Sequence, residues 1–292
     1  MQLGFIGLGT MGRPMALNLM RGGHGMSVYA RRPASAQPLV DDGATACASP
    51  AAVAERSDVV FTMVTGTSDV ETVVLGADGV VHGADEGTLV IDMSTIDPLA
   101  TQAMARALSE RGVEMLDAPV SGGPQGAVDA ALTIMVGGTT TALERARPLF
   151  ALLGPTVVHM GESGAGQATK ACHQLALLVT AQGTAEALTL AGRCGLDVER
   201  VRQVMRAGAA SRVLDLFGKR MASRDFSAGI ESRLYHKDLD IALGLAHDRG
   251  AALPAAAVTM QFINALVGSG RGRDDLSALV TLVEKLGSAP SD

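Results

Sequence analysis

The feature that most constrains the fold of this chain is a glycine-rich turn near its start. The motif Gly7-Leu8-Gly9-Thr10-Met11-Gly12 follows a short apolar run, Leu3 to Gly7, and opens a helical pattern from about Met11 to Arg21. A second β-type run, Gly25 to Ala30, arrives within the length of one βαβ unit. In that context the glycines permit a tight turn, close approach of a pyrophosphate and close helix–sheet packing. The motif predicts a dinucleotide site; a glycine turn without a ligand is the alternative.

Short apolar runs alternate with helical stretches through the first half of the chain. Beyond the two runs already named, the candidate strands are Val59 to Val64, Leu89 to Met93, Val113 to Ala118, Leu132 to Val136 and Thr156 to Met160. Because strands of parallel sheets are buried on both faces, this alternation is typical of a largely parallel sheet covered by helices on both sides. We therefore expect an α/β fold with a Rossmann-type, doubly wound sheet.

The pattern changes after Gly161. From Gly166 to about Arg193 the sequence contains no proline and has the pattern of one long helix. Further helical segments follow at Val198 to Ala207, Val213 to Ala222, Tyr235 to Arg249 and Ala255 to Val267. The sequence thus predicts a dinucleotide-binding domain over residues 1–162 and an all-helical domain over residues 163–292, with a long interdomain helix.

Composition argues against several classes of partner. The net charge is −6 and the chain has no Trp, so neither nucleic acid nor an anionic membrane is expected to bind. Cys47, Cys172 and Cys194 lack the spacing of a zinc site or a disulfide framework, and no metal is expected. No leader peptide and no apolar run long enough to cross a bilayer is recognisable. These features predict a soluble, cytoplasmic protein. Cys172 is expected to pack in the core.

The residues at the end of the second strand predict which dinucleotide is preferred. An acidic side chain there, about twenty residues past the glycines, would bind the adenine ribose and repel a 2′-phosphate. This chain has Ala30-Arg31-Arg32 instead. Because the guanidinium fork of arginine matches a phosphate, NADP is expected to be preferred over NAD. Two solvated surface arginines are the alternative.

Three further motifs carry chemistry. Asp117-Ala118-Pro119-Val120-Ser121-Gly122-Gly123 follows the fifth candidate strand, at the carboxyl end of the sheet where α/β folds bind ligands. Gly164-Ala165-Gly166-Gln167-Ala168-Thr169-Lys170 leads into the long helix, which continues with Ala171-Cys172-His173-Gln174. His236-Lys237-Asp238-Leu239 opens a late helix. Along the long helix, Lys170 and the glutamine four residues later share one face.

Together with the amino-terminal GFIGLGTMGRPMALNLM, these motifs resemble the β-hydroxyacid dehydrogenase family, in the same order and over nearly the whole chain. The sequence is particularly similar to 2-hydroxy-3-oxopropionate (tartronate semialdehyde) reductases, and also to 3-hydroxyisobutyrate dehydrogenases. The resemblance implies an NAD(P)-dependent oxidoreductase that transfers a hydride between nicotinamide and a small β-hydroxy acid or semialdehyde. It also implies that the helical domain binds substrate and dimerises.

The resemblance assigns roles to individual residues. Lys170 matches the catalytic lysine, Thr95 matches a residue near the nicotinamide, and Lys237 matches one that reaches the cofactor from the helical domain. Met63 and Val64 are expected to line the cofactor site, although their loop, Met63-Val64-Thr65-Gly66, lacks the proline common there. A surface lysine paired with Asp238 or Asp240 is the alternative role of Lys237.

These roles agree with the chemistry of aldehyde reduction. The alkoxide formed on hydride transfer needs a proton, which an ammonium at Lys170 could donate and, in reverse, an amine could remove. Ser121-Gly122-Gly123 offers a hydroxyl and N–H groups to a small substrate carboxylate. Gln174 could hold the substrate hydroxyl or oxo group, with His173 beside it. The alternatives are a solvated Lys170, a helix-packing His173 and an ordinary turn at the serine; Asp117 is expected to organise that turn.

Two further positions depart from the family pattern, and the first of them leaves the substrate open. Many members have Asn-Asn or Asn-Gln where this chain has His173-Gln174, and Ala130 replaces a family glycine. The alternative functions are an imine reductase, which generally lacks the lysine, and a dinucleotide-binding regulator without turnover.

Apolar residues are spread around the long helix, at Leu175, Leu177, Leu178, Val179, Leu188 and Leu190. A helix that is apolar on most sides must be enclosed by other helices. Because the remaining helical segments are few and partly polar, a neighbouring copy is expected to supply the cover. We therefore expect a homodimer or homotetramer built on two-fold contacts.

Overall fold

The computed structural model describes residues 1–208 and 212–286. The chain divides into two compact units, Met1–Lys170 and Ala171–Asp292, and the long helix contributes residues to both. The predicted domain boundary after residue 162 stays a prediction.

The first unit contains one sheet, of nine strands over the part of the chain that the structure describes. The strands are β1 Gln2–Ile6, β2 Gly25–Tyr29, β3 Thr45–Ala46, β4 Val59–Thr62, β5 Leu89–Asp92, β6 Glu114–Asp117, β7 Val120–Ser121, β8 Thr133–Gly137 and β9 Thr156–Gly161. Their order is β3-β2-β1-β4-β5-β6-β8-β7, with β9 beside β8. The first six in this order are parallel, and β8 is antiparallel to β6 and β7. The sheet therefore changes its direction of growth beside β1, which is where Rossmann-type folds bind their ligand.

Helices flank this sheet on two sides. They are α1 Gly12–Arg21, α2 Gln37–Asp41, α3 Pro50–Ala54, α4 Thr67–Leu75, α5 Pro98–Ser109, α6 Gly123–Val128, α7 Thr140–Phe150 and the start of α8 Ala165–Arg193. Alternate strand residues face different cores, because successive side chains of a strand point to opposite faces. Phe5 and Phe61 share one buried cluster with Met15 of α1, whereas Val60 shares another with Met104 of α5. The predicted Rossmann-type α/β fold is thereby confirmed.

Three neighbouring strands end on polar residues that are register partners. Thr62 of β4 pairs with Asp92 of β5, and Asp92 pairs with Asp117 of β6. Register partners on parallel strands direct their side chains to the same face. All three residues are fully buried, at 0% exposure each. The carboxyl edge of the sheet therefore carries a buried polar row.

The second unit is helical. Its helices are the rest of α8, α9 Val198–Gly208, α10 Lys219–Ser223, α11 Ser232–Asp248, α12 Pro254–Leu266 and α13 Leu279–Leu286. Beyond Gly161, the described residues contain no strand, only an isolated bridge between Glu231 and Asp275. The helix expected from Val213 to Ala222 instead begins as a π-helical turn, Leu214–Gly218, before α10. The all-helical prediction is otherwise confirmed.

One face of α8 is buried. Two expectations about this helix are wrong: that Cys172 packs in the core, and that no apolar run is long enough to cross a bilayer. Ala171, Gln174 and Leu178 are buried, but Cys172 lies outside this stripe and is exposed instead of packed in the core. Among the described residues, α8 is also the one helix whose length and hydropathy are sufficient to cross a bilayer. Core helices of water-soluble proteins often meet the same criteria.

Candidate active site

The glycine turn between β1 and α1 has the geometry that its motif predicts. Gly7 has a φ of +98°, and a Cβ there would lie 2.2 Å from the Met63 carbonyl oxygen. A Cβ on Gly12 would lie 1.9 Å from the Gly7 carbonyl oxygen, so a larger residue would push α1 away from the turn. Gly9 is exposed, and a Cβ there would meet no atom within 4 Å. The backbone of this turn is therefore open to a dinucleotide pyrophosphate.

Of the other residues of the turn, one is buried in the core and two are at least partly exposed. Leu8 is 3% exposed and belongs to the core of the first unit, so its side chain anchors the turn. Thr10 is exposed and Met11 is half-buried. Met11 occupies the N-cap position of α1 and has no side-chain acceptor to offer. The first N–H groups of α1 are thus suited to a phosphate.

The loop after β4 lies beside this turn. The Met63 amide donates to the Ile6 carbonyl oxygen at 2.9 Å, and the Val64 amide donates to Ser94 Oγ at 3.0 Å. Met63, Val64 and Thr95 are each half-buried. The structure brings the Met63-Val64 loop to the end of β1 and ties it to Ser94, a residue that sequence analysis missed.

The two arginines expected to select the cofactor follow β2. Arg31 is 78% exposed, and its Nη1 lies 3.4 Å from Oδ1 of Asp69 in α4. Arg32 is exposed and Ala30 is half-buried. Both guanidinium groups are therefore accessible to a ligand, and Arg31 already faces a carboxylate that sequence analysis did not connect with it.

Lys170 ends the first unit as a buried residue. It is 7% exposed, and its Nζ donates to the Val120 carbonyl oxygen at 2.7 Å. Val120 immediately precedes Ser121-Gly122-Gly123. The carbonyl group that accepts the hydrogen bond from Lys170 is therefore next in sequence to the predicted carboxylate site. Lys170 is therefore not the solvated lysine considered as the alternative.

The Ser121-Gly122-Gly123 segment has a backbone that favours glycine. Gly122 has a φ of +143° and Gly123 a φ of +65°, conformations that residues with a Cβ rarely adopt. A Cβ on Gly123 would meet no atom within 4 Å, which leaves space for a small anion. Ala130 also has a positive φ, +52°, which explains why family members favour glycine there.

A buried polar cluster at the start of α8 escaped sequence analysis. Asp117 Oδ1 accepts from the Gly164 amide at 2.8 Å, and its Oδ2 accepts from the Gln167 amide at 2.9 Å. The Gln167 side chain donates to the Ser94 carbonyl oxygen at 2.8 Å and accepts from the Ile96 amide at 3.1 Å. Asp117 thus accepts hydrogen bonds from backbone amides at the start of α8. It also lies next to the turn that it was expected to organise.

Burial raises the pKa of both carboxyl groups in the polar row. It raises the pKa of Asp92 to about 6, against hydrogen bonds from Thr62 and Ser94 that lower it, and the charge of Asp117 raises it further. Burial also raises the pKa of Asp117, while the amides at the start of α8 lower it. The fold therefore disfavours two ionised carboxylates side by side.

In the second unit, Asp238 joins two of the predicted residues. Gln174 Nε2 donates to Asp238 Oδ2, and Lys237 Nζ lies 2.9 Å from Asp238 Oδ1. Gln174 is 5% exposed and Asp238 is 7% exposed. Because a carboxylate only accepts, the amide nitrogen of Gln174 faces it and the amide oxygen faces elsewhere. The ion pair expected as the alternative role of Lys237 is present, but its acidic partner is buried.

The two histidines of the motifs lie in different surroundings. His173 is exposed, so it does not pack among helices of the second unit. His236 Nε2 lies 2.7 Å from Asn264 Oδ1 of α12. Within residues 1–208 and 212–286, no group of three or more His, Cys, Asp or Glu side chains is placed to hold a metal ion.

Two family models together match most of the chain. Residues 2–161 match the NAD-binding domain of 6-phosphogluconate dehydrogenase, and residues 164–283 match the NAD-binding region of NADP-dependent 3-hydroxyisobutyrate dehydrogenase. The 2-hydroxy-3-oxopropionate reductase of Escherichia coli (strain K12) is 41% identical over 285 residues, 97% of each chain. The solved 3-hydroxyisobutyrate dehydrogenase of Mycobacterium tuberculosis, with L-serine, matches with a TM-score of 0.89 at 30% identity, over 98% of this chain and 99% of that one.

The fold, the glycine turn and these matches define an NAD(P)-dependent oxidoreductase. The chain belongs to the β-hydroxyacid dehydrogenase family, whose members act on the CH–OH groups of hydroxy acids. The interpretation as an enzyme, over a regulator without turnover, is confirmed. An imine reductase from Myxococcus stipitatus has a TM-score of 0.66 at 20% identity, over 96% of this chain and 98% of that one, and shares the fold alone.

Proposed function

We propose that this enzyme reduces 2-hydroxy-3-oxopropionate, or a semialdehyde of similar size, with Lys170 as general acid. The observation that carries the proposal is the 2.7 Å hydrogen bond from Lys170 Nζ to the Val120 carbonyl oxygen. It holds a buried ammonium beside Ser121-Gly122-Gly123, where a small carboxylate fits. The substrate named for the Escherichia coli relative, at 41% identity, supports this choice.

The reaction needs a proton at the substrate oxygen when hydride reaches the carbon. The nicotinamide supplies the hydride when bound. Lys170 donates a proton from Nζ to that oxygen, and in the oxidative direction its neutral amine removes the proton. The Val120 carbonyl oxygen orients the ammonium, and the N–H groups of Gly122 and Gly123 hold the substrate carboxylate.

The orientation of Gln174 favours a substrate that carries a hydroxyl group. Gln174 follows Lys170 by one turn of the same helix, and its Nε2 is engaged by Asp238. Its Oε1 can therefore accept a hydrogen bond from a hydroxyl, which 2-hydroxy-3-oxopropionate provides. His173 borders the substrate in this proposal.

The cofactor in this proposal is NADPH in preference to NADH. The glycine turn would hold the pyrophosphate, Met63, Val64 and Thr95 would line the nicotinamide half, and Arg31 and Arg32 would hold the 2′-phosphate. Arg31 supports this assignment because its guanidinium is 78% exposed at the end of β2. A 2′-phosphate would compete there with Asp69, whose Oδ1 lies 3.4 Å from Arg31 Nη1.

The assay follows the absorbance of NADPH with 2-hydroxy-3-oxopropionate, its uncharged methyl ester and a small cyclic imine. The acid should be turned over with a kcat/KM at least about tenfold above that of the ester, because a charged hydrogen bond to the carboxylate contributes on the order of 1.5 kcal/mol or more. Equal activity on acid and ester would contradict the carboxylate site. Preferred turnover of the imine would contradict the reaction class.

We also propose a homodimer or homotetramer in the cytoplasm. Leu190 of α8 is 65% exposed and Val204 of α9 is 73% exposed, which supports a second copy as their cover. The free, exposed thiols of Cys172 and Cys194 suit a reducing compartment. Sedimentation equilibrium at low micromolar concentration tests the assembly, and an active 29.9 kDa monomer would contradict it.

A further inference from the structure

Two carboxyl groups lie side by side in the buried polar row. Asp92 and Asp117 are register partners on β5 and β6, and each is 0% exposed. Like charges opposite one another on neighbouring strands repel, and burial strengthens the repulsion. An arrangement of this kind persists only where hydrogen bonds satisfy the carboxyl oxygens.

The two carboxyl groups are satisfied from different directions. Asp92 Oδ1 accepts from Thr62 Oγ1 at 2.7 Å, inside the sheet. Asp117 accepts from the amides of Gly164 and Gln167, at the start of α8, where the helix dipole is positive. A Cβ on Gly166 would lie 2.8 Å from Asp117 Oδ2, so the absence of a side chain there makes room for the carboxylate.

Gln167 is the residue that connects these groups with the helix. Its amide donates to Asp117 at 2.9 Å, and its Nε2 lies 2.8 Å from the Ser94 carbonyl oxygen and 3.5 Å from Asp92 Oδ2. Its Oε1 accepts from the Ile96 amide at 3.1 Å. With 1% exposure, Gln167 attaches the first turn of α8 to the ends of both β5 and β6.

We propose that Gln167 is a positioning residue for Lys170, a role that rests on the proposed function of that lysine. The two residues are three positions apart on α8, so a rotation or shift of the first turn moves both together. The Gln167 side chain fixes that turn against β5, and Lys170 Nζ consequently meets the Val120 carbonyl oxygen. Without the amide, the Ser94 carbonyl and the Ile96 amide lose their buried hydrogen-bond partner. The first turn of α8 is then no longer held in position against β5.

The test compares two glutamines, Gln167 and Gln102, that both form hydrogen bonds at the start of α8. Gln167→Met removes the buried amide at similar volume. Gln102→Met is the matched control, because Gln102 Nε2 donates to the Ser163 carbonyl oxygen at 3.1 Å but touches neither carboxylate. With NADPH and 2-hydroxy-3-oxopropionate, Gln167→Met should lower kcat by about 10- to 100-fold, the cost of a misplaced catalytic group, with the KM for NADPH unchanged. Gln102→Met should keep the wild-type kcat.

A double-mutant cycle separates positioning from general damage. If Gln167 acts through Lys170, then Gln167→Met should not lower the residual kcat of Lys170→Met any further. A multiplicative further loss, or a wild-type kcat in a folded Gln167→Met protein, would overturn the proposal. Should Gln167→Met fail to fold, Gln167→Asn, which keeps an amide one methylene shorter, must lower kcat below that of the wild type; wild-type kcat in that variant overturns the proposal equally.

The same experiment distinguishes this proposal from the proposed function. A low kcat for Lys170→Met with a normal kcat for Gln167→Met overturns the positioning role alone. A normal kcat for Lys170→Met overturns the general-acid role and, with it, the positioning role. If the wild type does not turn over 2-hydroxy-3-oxopropionate, the proposed substrate is wrong, and the variants are compared in the oxidation of 3-hydroxyisobutyrate.

Discussion

Asp92→Asn removes a carboxyl group whose ionisation the fold opposes. The side chain is fully buried, and burial raises its pKa from 3.8 to about 6. Because the folded pKa lies above the unfolded one, the folded chain binds more protons between these two values. Stability from this group is therefore fully present below about pH 4 and is lost as the pH rises through about 6. At about 1.4 kcal/mol per pKa unit, a shift of roughly two units corresponds to about 3 kcal/mol.

Asparagine does not ionise but keeps a carbonyl oxygen for the Thr62 hydroxyl. The free energy of unfolding of the wild type should therefore fall, relative to that of Asp92→Asn, by about 3 kcal/mol between roughly pH 4 and pH 7. Urea unfolding of both proteins, followed by circular dichroism at closely spaced pH values, measures this difference.

The matched control is Ser49→Ala, which removes the hydroxyl that accepts from the Ala52 amide at 3.1 Å at the start of α3. It should lower stability by about 1 kcal/mol at every pH, because no titrating group is involved. A difference between wild type and Asp92→Asn that is equal at both ends of the pH range would refute the reasoning.

Three further variants test other parts of the site. Lys170→Ala should lower kcat by at least about 10²-fold, the scale of a lost general acid, while NADPH binding measured by fluorescence is retained; near-normal turnover would contradict the role. Arg31→Asp should reduce or reverse the ratio of kcat/KM for NADPH to that for NADH, and a wild type that favours NADH would show that the arginines are surface charges. Gly12→Ala should destabilise by about 1–3 kcal/mol through overpacking in thermal and urea unfolding. Gly9→Ala, whose new methyl group meets no atom within 4 Å, should keep the wild-type stability but weaken dinucleotide binding in titrations; equal stability of the two glycine variants would contradict the packing argument.

Local patterns in the sequence were sufficient for much of the fold. The long strands were predictable because each is a run of apolar residues bounded by turn residues, and the turn at Gly7 was predictable because its spacing follows a strand. β3 and β7, in contrast, have two residues each, too few for any periodicity. The π-helical turn at Leu214–Gly218 was missed for a related reason, since helical periodicity does not distinguish it from an α-helix.

The candidate site was predictable only where a residue type is itself unusual. Lys170 stands out as the one lysine of α8, whereas Gln167, three residues earlier, has no such signal. Its importance depends on the register that sets Asp92 beside Asp117, which no local pattern reports. Asp69 likewise lies far in sequence from Arg31, so their 3.4 Å approach follows from the tertiary fold.

The two glycines after Ser121 have a consequence for the entropy of substrate binding. A flexible loop must lose conformational freedom when it closes on an anion, and that loss weakens affinity by about 1–2 kcal/mol for each residue ordered. Gly122 and Gly123 already have φ values of +143° and +65° between β7 and α6. In the folded chain they thus already have backbone conformations that residues with a Cβ rarely adopt. If a substrate carboxylate binds there, as proposed, a backbone pre-organised in this way would spare its affinity that loss.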